Sequence, residues 1–548
     1  MKRIGMLAAT LVALAFAADP GSVQAAGSGY DLGVQTHFSQ GWGPQWRDAV
    51  KSVGARHVRD GLSWGAVESR RGQYQFNAQT AGHLEWFRKQ GIDVILTINP
   101  WNPAYDGGAF VQSEAGRLAF ASYLDAILSR YGDVVYGIEV GNELNTKGGM
   151  RGVQDPAKAA TYAGLLKTIY PVVKAKHPKV LIIGASTNVI GTGLIADIFR
   201  AGAGPYMDAV AVHPYRSLPE TVDVEIAHLQ AVLRPLGGPK LILASEFGDS
   251  FERASDAPAF MLKMVCLLSA GATRSYWYTL QDEPWFKNQG LFETTGREKP
   301  AAAAFRLLER ELAQGPPARV DAGDPRTFVF KLGSDTYAIW GAQRPLSITK
   351  GAEVRDAEGR PVPAPDSVSM TPILVKGRAS FSLGQPRVVA DSLLDYGGPQ
   401  WRYFAETPDG KLNALQMTDW TWTSYYGGKY FKPLRINADS LALAGPKDRL
   451  LSTVSRFTAD KAQRVRILAA VSHDRKDGDG VNVIVRQNGS IIAQRHVRAE
   501  AARIEAQASL AAGDRIDFVV SPGADSSGDV VKQRFQLLAA DGEGRRQP

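Results

Sequence analysis

Cysteine is nearly absent: Cys266 is the only one in 548 residues, which excludes an intramolecular disulfide and any cysteine-built metal centre. It sits in the apolar run FMLKMVCLLSAG and reads as a small buried hydrophobe. Long apolar runs are equally scarce. Past the N-terminus no stretch approaches the length of a bilayer-spanning helix, so no transmembrane segment is expected. The formal charge is +8, but the basic residues are scattered and stand beside no nucleic-acid motif, which argues for a solvated surface and against a nucleic-acid partner. No Gly-rich dinucleotide fingerprint follows the first strand, and there is neither a phosphate loop nor a Ser nucleophile elbow. His37 and His213 have no third nitrogen ligand and no His-x-x-x-His spacing, so no metal site is expected, and no cofactor.

What is present suits a globular protein, with 44% hydrophobic and 22% charged residues over a length that implies two or three domains. Residues 1–26 read as a signal peptide: Lys2-Arg3, the apolar run Ile4 to Ala17, then small residues permitting cleavage after Ala25 or Ala26. A periplasmic or secreted protein is the expectation.

From Tyr30 onward, short β-branched runs alternate with amphipathic segments. Strands are expected at 31–37, 55–61, 92–99, 134–142, 179–186, 207–215, 240–246 and 273–280, with helical patterns between them and a last one at Lys299 to Ala313. Eight strand-then-helix units predict an α/β fold, a closed (β/α)8 barrel over 30–315. After Gln314-Gly315-Pro316-Pro317 the pattern turns to short alternating strands, predicting a small β-sandwich over 316–385 and a C-terminal jelly-roll-like β-sandwich over 386–548. The aromatic stretch Trp420 to Leu434 reads as alternating core residues or as a sugar platform. The DRKDGDG stretch reads as a solvated turn rather than a calcium loop.

In such a barrel the strand C-termini build the active face. Those ends carry His37, Arg59, Trp101, Asn142 with Glu143, His213 with Tyr215, Glu246 and Trp277. Glu143 and Glu246 end strands four and seven, which face each other across a narrow mouth. Two carboxyl groups about 5 to 5.5 Å apart are what double displacement at a glycosidic carbon needs, one protonated and one ionised. The Trp rings can stack on sugar faces.

The segments GIEVGNEL and LILASEFG resemble the large clan of retaining glycoside hydrolases that carry an Asn-Glu acid/base on strand four and a nucleophilic Glu on strand seven. HPY at His213 to Tyr215, Arg59 after strand two, and DGLSWGAVESRRGQYQF are similar to that clan's pattern, over roughly residues 31 to 315. Within the clan the chain looks most like family 39, the group of β-xylosidases, α-iduronidases and exopolysaccharide-associated endoglycosidases. TPILVKG resembles the small sandwich that accompanies those barrels, and the C-terminal segments resemble carbohydrate-binding modules. Leu144 departs from the pattern, which has Pro there. The resemblance implies Glu143 as acid/base, Glu246 as nucleophile and Asn142 on the sugar 2-hydroxyl. It further implies Tyr215 hydrogen-bonding the nucleophile, Arg59 keeping it ionised, and His37, His213, Trp101 and Trp277 lining the subsite. The expected substrate is a polysaccharide or oligosaccharide, and the resemblance points to a bacterial exopolysaccharide met beside its export machinery. The alternative is a noncatalytic polysaccharide-binding or assembly factor on the same scaffold.

Overall fold

The computed structural model describes residues 29–540 apart from 239, 429–430, 444–449, 477, 525 and 527–528. The signal-peptide segment 1–26 therefore lies outside the described residues, as does residue 477 of the DRKDGDG turn.

Among the described residues, eight parallel strands close into a barrel in sequence order. They are β1 (Asp31–Gln35), β2 (His57–Gly61), β3 (Asp93–Ile98), β4 (Val135–Val140), β5 (Leu181–Asn188), β6 (Ala209–His213), β7 (Leu241–Phe247) and β8 (Arg274–Trp277). Closure is made by β8 against β1, with Asp31 opposite Arg274 and Val34 opposite Trp277. Helices return the chain between strands; Ala78–Gln90 and Glu114–Tyr131 coincide with the sequence expectation, and Pro300–Leu312 follows β8. The strands are β-branched and buried because helices cover the outside and side chains fill the inside. The inner filling includes Ile95, Ile183, Ala209, Ala211, Leu243 and Tyr276, all buried.

Beyond the barrel the chain is antiparallel β-structure. Thr327–Leu332 and Thr336–Gly341 pair in a five-stranded sheet beside a three-stranded one. One face of the larger sheet, with Phe328, Phe330 and Trp340, joins the same apolar core as the barrel helices, while Val329, Tyr337 and Ile339 face a separate small core. The alternation along each strand divides one segment between two cores. From Val388 to Ala539 a further pair of sheets encloses its own core, with Phe518 and Phe535 stacked at 4.4 Å. No described helix is long and apolar enough to cross a membrane.

Candidate active site

The C-terminal ends of the barrel strands gather a dense set of charges. Arg59 on β2 is 2% exposed and donates in four directions. Nε reaches Glu139 Oε2 at 2.6 Å, Nη1 reaches Gln35 Oε1 at 2.6 Å and Glu246 Oε1 at 2.5 Å, and Nη2 reaches Asn142 Oδ1 at 2.8 Å. A buried guanidinium demands such partners, and the carboxylates raise its pKa although burial opposes them. Tyr215 donates its hydroxyl to Glu246 Oε2 at 2.6 Å. Both oxygens of Glu246 thus accept a short hydrogen bond.

Glu143 stands opposite. Asn188 donates to its Oε1 at 2.6 Å, and His213 Nδ1 lies 3.3 Å from the same oxygen and 3.5 Å from Glu246 Oε2. One oxygen of Glu143, one of Glu246 and a ring nitrogen of His213 all fall within 4.8 Å of one another. These three could in principle offer a metal their donor atoms, but those atoms already bond Arg59, Tyr215 and Asn188. Burial disfavours a charged His213, yet Glu246, Glu139 and Glu143 outweigh it and push its pKa up to about 9. Burial likewise raises Glu143, but the His213 imidazolium, Asn188 and Arg59 hold its carboxyl below the ordinary value. Both shifts favour the proton on His213, between the two glutamates, over Glu143.

The backbone at Glu143 is left-handed, φ 48°, a conformation that costs a non-glycine residue free energy and is characteristic of active sites. Leu144 at the following position is fully buried and donates its N–H to Ser186 O at 2.8 Å. A proline there has no N–H to give and disfavours helical φ/ψ in the residue before it. The departure noted in the sequence thus fits the local backbone.

Two expectations are corrected. Trp277 is fully buried and does not line the mouth; it packs on Phe247, Phe251 and Phe260, and its Nε1 donates to Gln289 O at 3.0 Å. The reason is strand parity: Tyr276 points into the barrel, Trp277 outward to the helices, and Tyr278 takes the mouth. Tyr278 lies edge-on to His37 at 5.6 Å and Tyr215 at 6.2 Å. His213 is 0% exposed and supports the carboxylates from beneath instead of lining a subsite. Trp101 is half-buried with the Arg151 guanidinium 3.9 Å above its ring, so one face is already covered. His37 is 9% exposed, its Nε2 lacks a hydrogen bond, and burial holds its imidazole below the ordinary pKa against the pull of Asp60 and Glu246.

Sequence reasoning passed over Glu139, Asn188 and Tyr278. Glu139 is fully buried and accepts from Arg59, Thr97 and Ser245; burial raises its pKa, but Arg59 and His213 outweigh it and hold the carboxyl well below the ordinary range. A lone charge inside an apolar strand was its signal. Asn188 ends β5, two residues past the strand end expected at 186, so its strand-end position was the signal that was missed. The loop after β8 adds Phe286, stacked on Tyr215 at 6.0 Å, and Trp285, 68% exposed.

Fold and site together define a (β/α)8-barrel protein with a paired-carboxylate centre at the C-terminal face. Solved structures similar to this chain include a family 39 glycoside hydrolase from the gut symbiont Bacteroides cellulosilyticus WH2, at 19% identity and TM-score 0.53, covering 64% of this chain and 81% of that one. Also similar are a family 39 β-xylosidase from Caulobacter crescentus, with 16% identity, TM-score 0.44 and 63% and 95% coverage, and the family 39 enzyme from Xanthomonas axonopodis pv. citri, with 14% identity, TM-score 0.43 and 90% and 94% coverage. The likeness to the Bacteroides cellulosilyticus structure establishes the shared fold. No family profile and no curated protein sequence matches the chain.

Proposed function

We propose that the protein is a retaining glycoside hydrolase that cleaves β-glycosidic bonds of a polysaccharide by double displacement, with Glu246 as nucleophile and Glu143 as acid/base. The observation that carries this is the carboxylate pair within 4.8 Å, oxygen to oxygen, in unlike surroundings. That spacing is shorter than the separation of roughly 6.5–9.5 Å that inversion uses to seat a water beside the sugar, and suits direct attack. Glu246, braced by Arg59 and Tyr215, attacks the anomeric carbon. Glu143, on the His213 and Asn188 side, gives its proton to the departing oxygen and then deprotonates the water that releases the sugar. Substrate that covers the site excludes water and moves the proton from His213 to Glu143 before the leaving group departs. Glu143 gives that proton up as the ester forms at Glu246 and, ionised, takes one from the water in the second step while His213 stays neutral. Asn142, fixed by Arg59, is placed for the sugar 2-hydroxyl, and Tyr278 with Phe286 supplies apolar ring surface. No cofactor enters this chemistry.

The substrate we propose is a bacterial exopolysaccharide, met in the periplasm or outside the cell after removal of 1–26, beside the machinery that exports it. Digestion of candidate polysaccharides followed by mass analysis tests that part. For the mechanism, Glu246→Gln is expected to abolish turnover with the fold intact, and azide to restore Glu246→Gly as the inverted glycosyl azide. Wild-type-like turnover in both Glu143→Gln and Glu246→Gln would sink the reading.

A further inference from the structure

The aromatic stretch of the C-terminal β-region starts against the barrel. Trp420 O accepts the Gly193 N–H at 2.9 Å, just inside the helix Thr192–Arg200 that follows β5. Thr421 O accepts from Asn145 Nδ2 at 2.8 Å, two residues beyond Glu143. Asp419 Oδ1 lies 2.7 Å from His228 Nε2 on the helix Val222–Leu233 and accepts the Ser424 hydroxyl at 2.8 Å. Three separate barrel segments thus hold one short stretch of backbone.

The contact is close-packed. A Cβ on Gly193 would stand 2.7 Å from Trp420 C, and one on Gly191 2.7 Å from Thr421 O. Neither glycine has a left-handed φ, so here the glycines answer to backbone approach and not to conformation.

From Thr421 a bonded path runs to the catalytic carboxylate. Asn145, 8% exposed, gives one amide hydrogen to Thr421 O and the other to Asn188 O at 2.9 Å, while its Oδ1 accepts the Asn188 N–H at 2.9 Å. Asn188 in turn donates to Glu143 Oε1 at 2.6 Å. The backbone on both arms of this path is strained, at Glu143 (φ 48°) and at Val189 (φ 52°). A β-branched residue in that region persists only when its surroundings over-determine it.

We propose that the segment Asp419–Ser424 is a positioning element of the active site, which locks the loops after β4 and β5 and through Asn145 and Asn188 sets the orientation of Glu143. The inference rests on the reading of Glu143 as acid/base. The C-terminal β-region is then required for proton delivery to the leaving group, independently of any sugar it binds itself. Asn145 and Asn188 are positioning residues, since neither needs to touch the reacting atoms.

The test is Gly193→Ala in the full chain, which wedges a methyl against Trp420 without altering any residue of the bonded path. With an aryl β-glycoside that the wild type cleaves, the 2,4-dinitrophenyl leaving group needs little protonation and the phenyl or glycan leaving group needs it fully. For Gly193→Ala, kcat/KM is expected to stay within about twofold of wild type on the former and to fall about tenfold or more on the latter. Asp419→Ala should move in the same direction and Asp419→Asn, which keeps an acceptor for His228 and Ser424, should not. Amide hydrogen exchange needs no substrate: in Gly193→Ala, 141–146 and 186–190 should exchange faster together with 419–424. Equal losses on both leaving groups, no loss on either, or faster exchange confined to 419–424 overturns the proposal. If Glu143→Gln shows the leaving-group dependence and Gly193→Ala does not, only this inference falls. If Glu143→Gln shows none, the acid/base reading falls with it.

Discussion

The residue that governs the charge balance of the site is His213. It is the cation between three glutamates, and its folded pKa of about 9 stands above the ordinary value of 6.5. A group raised on folding contributes stability that is fully present below its unfolded pKa and lost as pH rises through the folded one. The unfolding free energy should therefore fall between pH 6.5 and about 9, measured by urea denaturation across that range. His213→Gln, which cannot titrate, should flatten that part of the profile, and an unchanged slope in the variant would refute the assignment. Glu139 works in the opposite direction, since its depressed pKa contributes stability above its ordinary value that is lost on acidification. At this scale Glu143 and Glu246 were legible, because each ends an apolar strand and strand ends are where a barrel puts its chemistry. Of their hydrogen-bond partners, Arg59 and Tyr215 were legible through the clan's pattern, but Asn188, which donates to Glu143, was not, because it meets that carboxylate only across the closed mouth.

At the scale of the element, β8 teaches how narrow the margin is. Arg274–Trp277 and the residue after it present three consecutive aromatics, Tyr276, Trp277 and Tyr278, to three environments: barrel interior, helix layer and active-site rim. A period of two gives each side chain its side, but not which parity faces the axis, so the largest ring was assigned to the sugar when packing had taken it. The difference is measurable. Trp277→Ala removes a fully buried ring and should cost about 3–5 kcal/mol in stability, read by thermal or urea unfolding. The milder Trp277→Phe should leave kcat/KM within about twofold. Tyr278→Ala removes a ring that is 8% exposed and so also costs stability, but unlike the Trp277 variants it should lower kcat/KM of the folded enzyme by roughly tenfold or more, because its ring borders Tyr215 and His37. The reverse pattern would return Trp277 to the subsite. The loop after β4 gives the complementary lesson: Leu144 departs from a motif that has proline, and the backbone N–H it gives to Ser186 O makes a residue other than proline the requirement there.

In the whole molecule, the barrel does not end where its last helix ends. Trp340, fully buried, stacks on Phe328 at 5.1 Å and Phe330 at 5.5 Å, and all three belong to the core that contains the barrel helices. Separate sheets that share one apolar core should unfold together. Trp340→Ala, about 3–5 kcal/mol by loss of a buried ring, should accordingly lower the temperature at which catalytic activity is lost, with activity and tryptophan fluorescence decaying in one transition. An unchanged activity midpoint would mean that the small sandwich is thermodynamically separate. The C-terminal sheets have their own core and touch the barrel through Asp419–Ser424, the contact that bears on Glu143.

The sequence by itself determined the barrel, its eight strands and the two glutamates at its mouth. Those follow from local periodicity and from the chain order of strand ends, which residues encode one neighbour at a time. Only the tertiary structure decided which parity of β8 faces the axis, that a third glutamate and a buried histidine lie beneath the pair, and that a distant loop packs beside Glu143. Each of these depends on which surfaces meet when the sheet closes and the sandwiches dock. Contacts between residues hundreds of positions apart leave no periodic trace along the chain.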